Sequence, residues 1–566
     1  MVEETAELVP EELARKKRSV DELLKQKILV SPEFLASVGE EIKSEELKRI
    51  AQNGSESGLG VLVIDKDVGK LLKRNESGVN WLELERSKVL SEKKRKTEAY
   101  NIFLNALLSP TPPTHGKTAT PATTMQETAG QINILEPAAV DGGLPSVKVV
   151  FSYSANPVKR EMSDFVNYYL ARFKAVQGVL MHHSELTGLV QISRLKVWSA
   201  ASSGSEPVSV IGMIADKRQT KHGHLAVSIE DPTGASDVIV NKTRKELFDL
   251  AANLVFDEVI AVSGNLRNGA LFASNIIFPD VPALEPKHSP KEGYAVFMSD
   301  LHFGSAQFLE ADFRKFLKWI NGDLGNAAQR EIAGKVKYVL ISGDLVDGIG
   351  VYQDQYDELS VKDVRDQYKM CAEFLSQIPQ NIKIVVSPGN HDAVRAAEPQ
   401  DAFSGDFAAP LLRLPNVIPV SNPGVVNIDA SGDFPGFDVL LYHGYSFDYY
   451  VANVDSIRRQ GGYERADLIM KFILQRRHIA PAHTSTLILP DQFFDPLFIG
   501  IVPDIFATGH IHRTSVSDYK NITLINGSCW QGKTKFQERL GHSPQPSRLP
   551  VFNLKTRAAK IINFGK

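Results

Sequence analysis

Five short polar motifs, each directly after an apolar run with the length of a buried strand, constrain this chain more than any other feature. The runs are YAVFMSD, KYVLISGD, IKIVVSPGN, FDVLLYHG and PDIFATGH. The motifs at their ends are Asp300-Leu301-His302, Gly343-Asp344-Leu345-Val346-Asp347, Gly389-Asn390-His391-Asp392, His443-Gly444 and Gly509-His510-Ile511-His512. Helical segments lie between the runs, which makes this region α/β with its chemistry at strand ends. A single Asp-X-His means little, and one buried histidine is more often a satisfied core residue than a ligand. Five motifs in order, holding 5 of the 14 histidines, predict that Asp, Asn and His side chains converge from several strand tips. That donor set suits a pair of divalent cations roughly 3.5–4 Å apart, which clamp the attacking and leaving oxygens of an in-line displacement.

Upstream, the pattern is different. VSVIGMIADKRQ, GHLAVSIEDPTG, SDVIV, DEVIAVSGNL and ALFASNIIF are short runs split by turn signals, with a helix (TRKELFDLAAN) before the last two. This order predicts a small antiparallel barrel of OB-fold type. Such barrels often hold single strands in a basic groove with stacked aromatics. Lys217, Arg218, Lys221 and His224 lie near the first turn, but aromatics are few, so a protein-docking barrel stands equally open. The segment 109–146 is rich in Pro, Thr, Gly and Ala without large apolar residues, as a flexible linker is. Four parts result: a helical N-terminal unit over 1–105, a linker over 106–146, the barrel with a preceding strand and helix over 147–285, and the α/β domain over 290–566. The fold class expected is therefore multidomain α+β.

With 566 residues, two or three domains are the starting expectation. Lys+Arg 64 against Asp+Glu 67 leaves a net charge of −3, so a nucleic-acid partner would need a local basic face or bound cations. The two cysteines, Cys371 and Cys529, exclude a disulfide framework and a cysteine-rich zinc module. Neither a signal core nor a membrane-length apolar stretch occurs. A soluble protein of the cell interior, without a membrane partner, is expected.

The five motifs resemble those of the calcineurin-like metallophosphoesterases. Carried over position by position, the resemblance places Asp300, His302 and His512 on a first metal and Asn390, His443 and His510 on a second, with Asp344 bridging. His391 would contact the scissile phosphate, and Asp392 would orient its imidazole. Asp347 is read as a supporting carboxylate rather than a ligand. His443-Gly444-Tyr445-Ser446-Phe447-Asp448, Arg476-Arg477-His478-Ile479-Ala480-Pro481 and Asn526-Gly527-Ser528-Cys529-Trp530-Gln531 are similar to signatures of the small-subunit family of archaeal family D DNA polymerases. The resemblance runs from about residue 190 to the end of the chain. It departs at Ala482-His483-Thr484; His478 and His483 are read as structural or DNA-side residues, and Cys529 as a small buried hydrophobe.

That resemblance implies a 3′→5′ exonuclease that proofreads DNA and releases nucleoside monophosphates. It also implies a large polymerising subunit and DNA (3′ ends and single strands) as partners, a sliding clamp as a further candidate, and a cytoplasmic, nucleoid-associated location. Manganese is the metal it suggests, and the Asp, Asn and His donors suit iron or zinc as well. Two rivals stand beside it. Non-catalytic scaffold subunits share this plan but have lost the metal ligands, and here every ligand position is filled. Protein phosphatases carry an arginine after the second motif and Glu at the position of Asp392. Finally, Arg458, Arg459, Arg465, Lys471, Arg476 and Arg477 read as one basic helical face, for DNA phosphates or for solvent and partners.

Overall fold

The computed structural model describes residues 28–30, 62–64 and 145–565, apart from 156, 196–206, 268 and 540. Most of the N-terminal unit and nearly all of the linker expected over 106–146 lie outside the described residues. Within the segment read as helical, Ile28–Val30 pairs in parallel with Leu62–Ile64, so it holds a small sheet.

The five upstream runs form a closed barrel: Val208–Gln219, Leu225–Asp231, Gly234–Val240, Ala270–Ile277 and Val259–Arg267, in that order around the wall. Alternate residues point inward, as the two-residue period of a strand requires, and Val208, Val210, Val227, Ile229, Val238 and Val262 fill the interior. Helix Lys245–Ala252 connects Gly234–Val240 to Val259–Arg267 and packs its Ala251 into the same core. The helix Met162–Leu180 lies outside the barrel, with Phe173, Val176 and Leu180 against Ile211, Val259 and Ala261.

The α/β region contains two six-stranded sheets. One has the order Val417–Pro419, Lys383–Ser387, Val336–Ser342, Tyr294–Met298, Arg548–Asn553, Ala559–Asn563, and its first four strands are parallel. The other runs Ser515–Tyr519, Ile522–Asn526, Ile505–Thr508, Phe437–Leu441, Gly424–Ile428, Val147–Ser152. The strand 147–152, expected beside the barrel, is thus an edge of this second sheet, antiparallel to Gly424–Ile428.

Strand periodicity explains the layering. Ala295 and Phe297, Tyr338 and Leu340, and Val385 meet Val439, Leu441, Ile505 and Ala507 between the sheets. Their alternates Val296, Met298, Val339, Ile341, Ile384 and Val386 face outward, onto helices carrying Phe313, Phe316, Trp319, Tyr368 and Phe374. On the second sheet Leu440, Phe506 and Leu524 face the helix Ala466–Arg476. The central strands are therefore buried on both faces, which is why they read as unbroken apolar runs. Among the described residues no helix is long and apolar enough to cross a membrane.

Candidate metal centre

Strands Tyr294–Met298, Val336–Ser342, Lys383–Ser387, Phe437–Leu441 and Ile505–Thr508 each end just before a polar motif, and their tips meet. Asp300, His302 and His512 form one group with ligand atoms all within 4.8 Å of one another; Asp300, Asp344 and His443 form another. Asn390 links to the second group: its Oδ1 lies 2.9 Å from His443 Nε2 and 3.1 Å from His510 Nδ1. The structure thus brings together all seven positions assigned to metal from the sequence.

The imidazoles are held from behind. His302 Nδ1 lies 2.9 Å from Asp347 Oδ1, His443 Nδ1 2.9 Å from the Ser342 carbonyl, and His512 Nδ1 2.9 Å from the Gln537 amide. His510 is reversed, with Nε2 3.2 Å from Asp448 Oδ2 and Nδ1 turned inward. Outer partners of this kind fix ring orientation and leave one nitrogen of each ring free for a cation. Asp347 itself also accepts from Gln531 Nε2 at 2.9 Å. Asp448 and Gln531 stand in the sequence motifs without a role, and Gln537 lies outside them; nothing local shows which group each will meet.

Electrostatics and backbone geometry both suit a cation. The inward nitrogens of His302 and His512 are 3.1 Å apart, two lone-pair donors aimed at one place. Burial opposes a charge on His443, but Asp344 and Asp300 outweigh it and push the imidazole up to about 10. A pocket that holds a proton so firmly stabilises positive charge, and a divalent ion can replace that proton. Asp300, His302, Asp344, His510 and His512 all have φ between 49° and 71°, a left-handed conformation that costs non-glycine residues energy and concentrates at functional sites. The donors present fit divalent cations.

His391 stands beside these groups, its ring 4.7 Å from that of His302. Its backbone N–H donates to Asp344 Oδ1 at 2.9 Å, and its Nδ1 lies 2.7 Å from the Asp347 carbonyl. The expectation that Asp392 orients this ring is corrected. The loop turns the Asp392 carboxylate back beneath the strand tips, where it accepts from the N–H groups of Gly389 and Leu345 and the Tyr368 hydroxyl. Burial, and then the Asp344 charge, push its carboxyl up to about 7.

The expected basic face also needs correction. The stretch breaks into Asp455–Arg459, a 3-10 turn at Gly462–Glu464, and Ala466–Arg476. Arg476 is only 5% exposed; it pairs with Glu258 at 3.0 Å and lies over the rings of Phe278 and Phe472. Arg477, 6% exposed, donates to the carbonyls of Ile499 and Gly500. His478 lies 2.7 Å from the buried Asp495, while the exposed His483 meets Asp257. The Arg-Arg-His segment therefore joins barrel to α/β region instead of facing solvent. Arg458 and Arg459 are exposed and both pair with Asp455. Lys217 donates to the carbonyls of Ala252 and Leu254, and the exposed Arg218 pairs with Asp237 at 2.6 Å. None of these six makes a hydrogen bond or ion pair with the metal cluster among the described residues.

Gly389 shows how closely the centre is packed. A Cβ there would lie 2.2 Å from Asp344 Oδ1 and 2.6 Å from the Asp344 backbone nitrogen. Gly389→Ala is expected to displace the carboxylate and weaken Mn2+ affinity about 10- to 100-fold, the usual cost of disturbing a ligand's support. Calorimetric titration of the metal-free chain measures this; unchanged affinity would mean the carboxylate does not set the site.

Two sheets joined at polar tips, with a carboxylate and imidazole cluster, define a metallophosphoesterase, and the calcineurin-like phosphoesterase family pattern matches residues 295–514. The chain is 38% identical over 405 residues to the DNA polymerase II small subunit of Methanothermobacter thermautotrophicus, covering 72% of this chain and 80% of that one. It is 36% identical to the protein of the same name from Archaeoglobus fulgidus (72% and 78% covered) and 37% identical to that of Halobacterium salinarum (72% and 75%). The chain belongs to the DNA polymerase II small-subunit family.

Proposed function

We propose that this chain is a 3′→5′ DNA exonuclease that proofreads for a polymerase assembly, in which it also serves as a scaffold. The observation that carries the reading is the set of four tethered imidazoles around Asp300, Asp344 and Asn390, with His391 beside them. When bound, two divalent cations, manganese by preference, supply Lewis-acid charge and activate the attacking water. The chain's own residues do the rest. The Asp347 carbonyl accepts the Nδ1 proton of His391, so Nε2 faces the substrate. Water adds to phosphorus and gives up a proton to solvent, the bond to the 3′ oxygen breaks, and the imidazolium form of His391 passes its Nε2 proton to that oxygen, freeing a nucleoside monophosphate. Asp392 keeps the loop in place from beneath.

The assembly proposed contains a large polymerising subunit and DNA, with a sliding clamp as a further partner. The barrel, fixed to the α/β region through Arg476 and through Arg172 of the helix Met162–Leu180, which donates to Asp495, suits docking as well as strand binding. Arg218, Arg458 and Arg459 are the exposed cations offered to phosphates. The test uses 3′- and 5′-labelled single strands with Mn2+. The wild-type chain should free the 3′ label as mononucleotide at once and shorten the 5′-labelled strand stepwise. His391→Ala should slow both about 10²- to 10⁴-fold while still binding Mn2+. Intact DNA in the wild-type reaction would leave only the scaffold; phosphate release from phosphoserine peptides would point to a phosphatase.

A further inference from the structure

We propose that Tyr352 and Phe536 form a stacking platform at the rim of the metal centre for the unpaired terminal base of a DNA strand. The proposal rests on the exonuclease reading above and names the part of the substrate it holds. The two rings are stacked, with centroids 4.8 Å apart and planes 22° from parallel, and the Tyr352 ring lies 6.2 Å from the His391 imidazole. A base is separated from its own phosphate by one sugar, so a phosphate at His391 brings its base to this rim. One face of Phe536 lies against Tyr352, and 38% of the residue remains in solvent.

Both rings are fixed to the metal cluster. Tyr352 follows Asp347 on the same loop, and Phe536 is next to Gln537, whose amide meets His512. Glu358 ties the two segments together, accepting from the Tyr352 hydroxyl at 3.0 Å and from the Lys535 N–H at 3.3 Å. An ion pair between Arg539 and Asp354 adds a second tie. The pair is thus preorganised, and ordering it on binding costs little. Ile349 and Val351 are also exposed on this loop, so the rim offers π-faces and apolar edges rather than base-specific hydrogen bonds. Every base can stack there, without sequence preference. A paired end must first give up its partner and its stack, so frayed or mismatched ends are favoured.

The experiment uses the full chain and a short single strand with 2-aminopurine at the 3′ end and a phosphorothioate at the last linkage. Binding should quench the fluorophore, and the strand should bind about tenfold tighter than one with an abasic 3′ end. Phe536→Ala should remove both the quench and the difference, and Phe536→Trp should keep them. Equal affinity for base and abasic ends in the wild type, or a quench that survives Phe536→Ala, would overturn the platform. Hydrolysis of an ordinary strand is read separately. Quenching without cleavage supports the platform and removes the exonuclease; cleavage with an unquenched base overturns the platform alone.

Discussion

Asp344→Ala is expected to cut metal-dependent phosphodiester hydrolysis by on the order of a thousandfold or more and to remove high-affinity Mn2+ binding. Asp344 sits, like Asp300, where the two ligand groups meet. Asp344 Oδ2 is 3.2 Å from His443 Nε2 and 3.9 Å from His302 Nε2, so the residue reaches both ligand groups, while Oδ1 holds the loop of His391. Without a carboxylate there, a cation in either group keeps Asp300 but loses its second neutralising charge. Electron paramagnetic resonance of added Mn2+ and a labelled-oligonucleotide assay measure the two effects. A variant with near-wild-type turnover would show that the reaction lies elsewhere.

The same substitution has a pH signature in the metal-free protein. Burial would raise the Asp344 carboxyl, but His443 and His391 bring it well below its usual range; His443 is raised to about 10. A lowered carboxyl stabilises the fold above its unfolded value, near pH 4, and a raised imidazole does so in full only below its unfolded value, about 6.5. The pair's contribution is therefore complete between about pH 4 and 6.5. It declines as pH climbs toward 10 and is lost again in acid. The wild-type advantage over Asp344→Ala in thermal denaturation should follow that profile with chelator present. A gap that widens above pH 10 would contradict the pairing.

Arg172→Leu should be the most destabilising single change outside the metal centre, about 3–5 kcal/mol. The guanidinium is buried, donating to Asp495 at 2.7 Å, the Pro481 carbonyl, the Asp257 carbonyl at 3.2 Å and the Tyr168 hydroxyl at 3.0 Å. It joins the helix beside the barrel to the α/β region. Burial would raise the Asp495 carboxyl; His478 and Arg172 overcome that and hold it far below the usual range. Burial and the Arg172 charge push His478 down, so the permanent positive charge in this node is the guanidinium's. Removing it leaves a buried carboxylate with His478 and the Leu497 N–H but no guanidinium beside it, and adding Asp495→Asn should recover part of the loss. Denaturant unfolding of the two single variants and the double variant gives the coupling. A loss under about 1 kcal/mol for Arg172→Leu would mean the carboxylate finds water or another partner.

The parts of the fold visible in the sequence are those whose burial is encoded locally. Strands such as Val336–Ser342 are covered on both faces, so they are uniformly apolar until the tip, and the tip residues stand out. Val147–Ser152 is equally apolar, but its partner Gly424–Ile428 is remote in the chain, and no periodicity names a partner. The basic helix misled for a related reason. Arginine normally faces water; Arg476 is buried because Glu258 and two aromatic rings await it, and these come from another domain or another turn. The family resemblance assigns Asp392 to His391, whereas the loop's reversal hands that ring to a backbone carbonyl. Ligand types follow from chemistry, but the groups behind them depend on how loops return.

The left-handed backbone at Asp300, His302, Asp344, His510 and His512 sets function against stability at the same five positions. Each bears a conformational cost that glycine, or to a lesser degree asparagine, would relieve. A descendant of this chain freed from hydrolysis would gain by exchanging those side chains first. Disuse of the chemistry would therefore leave its earliest mark on the strand tips, while the sheets beneath stayed as they are.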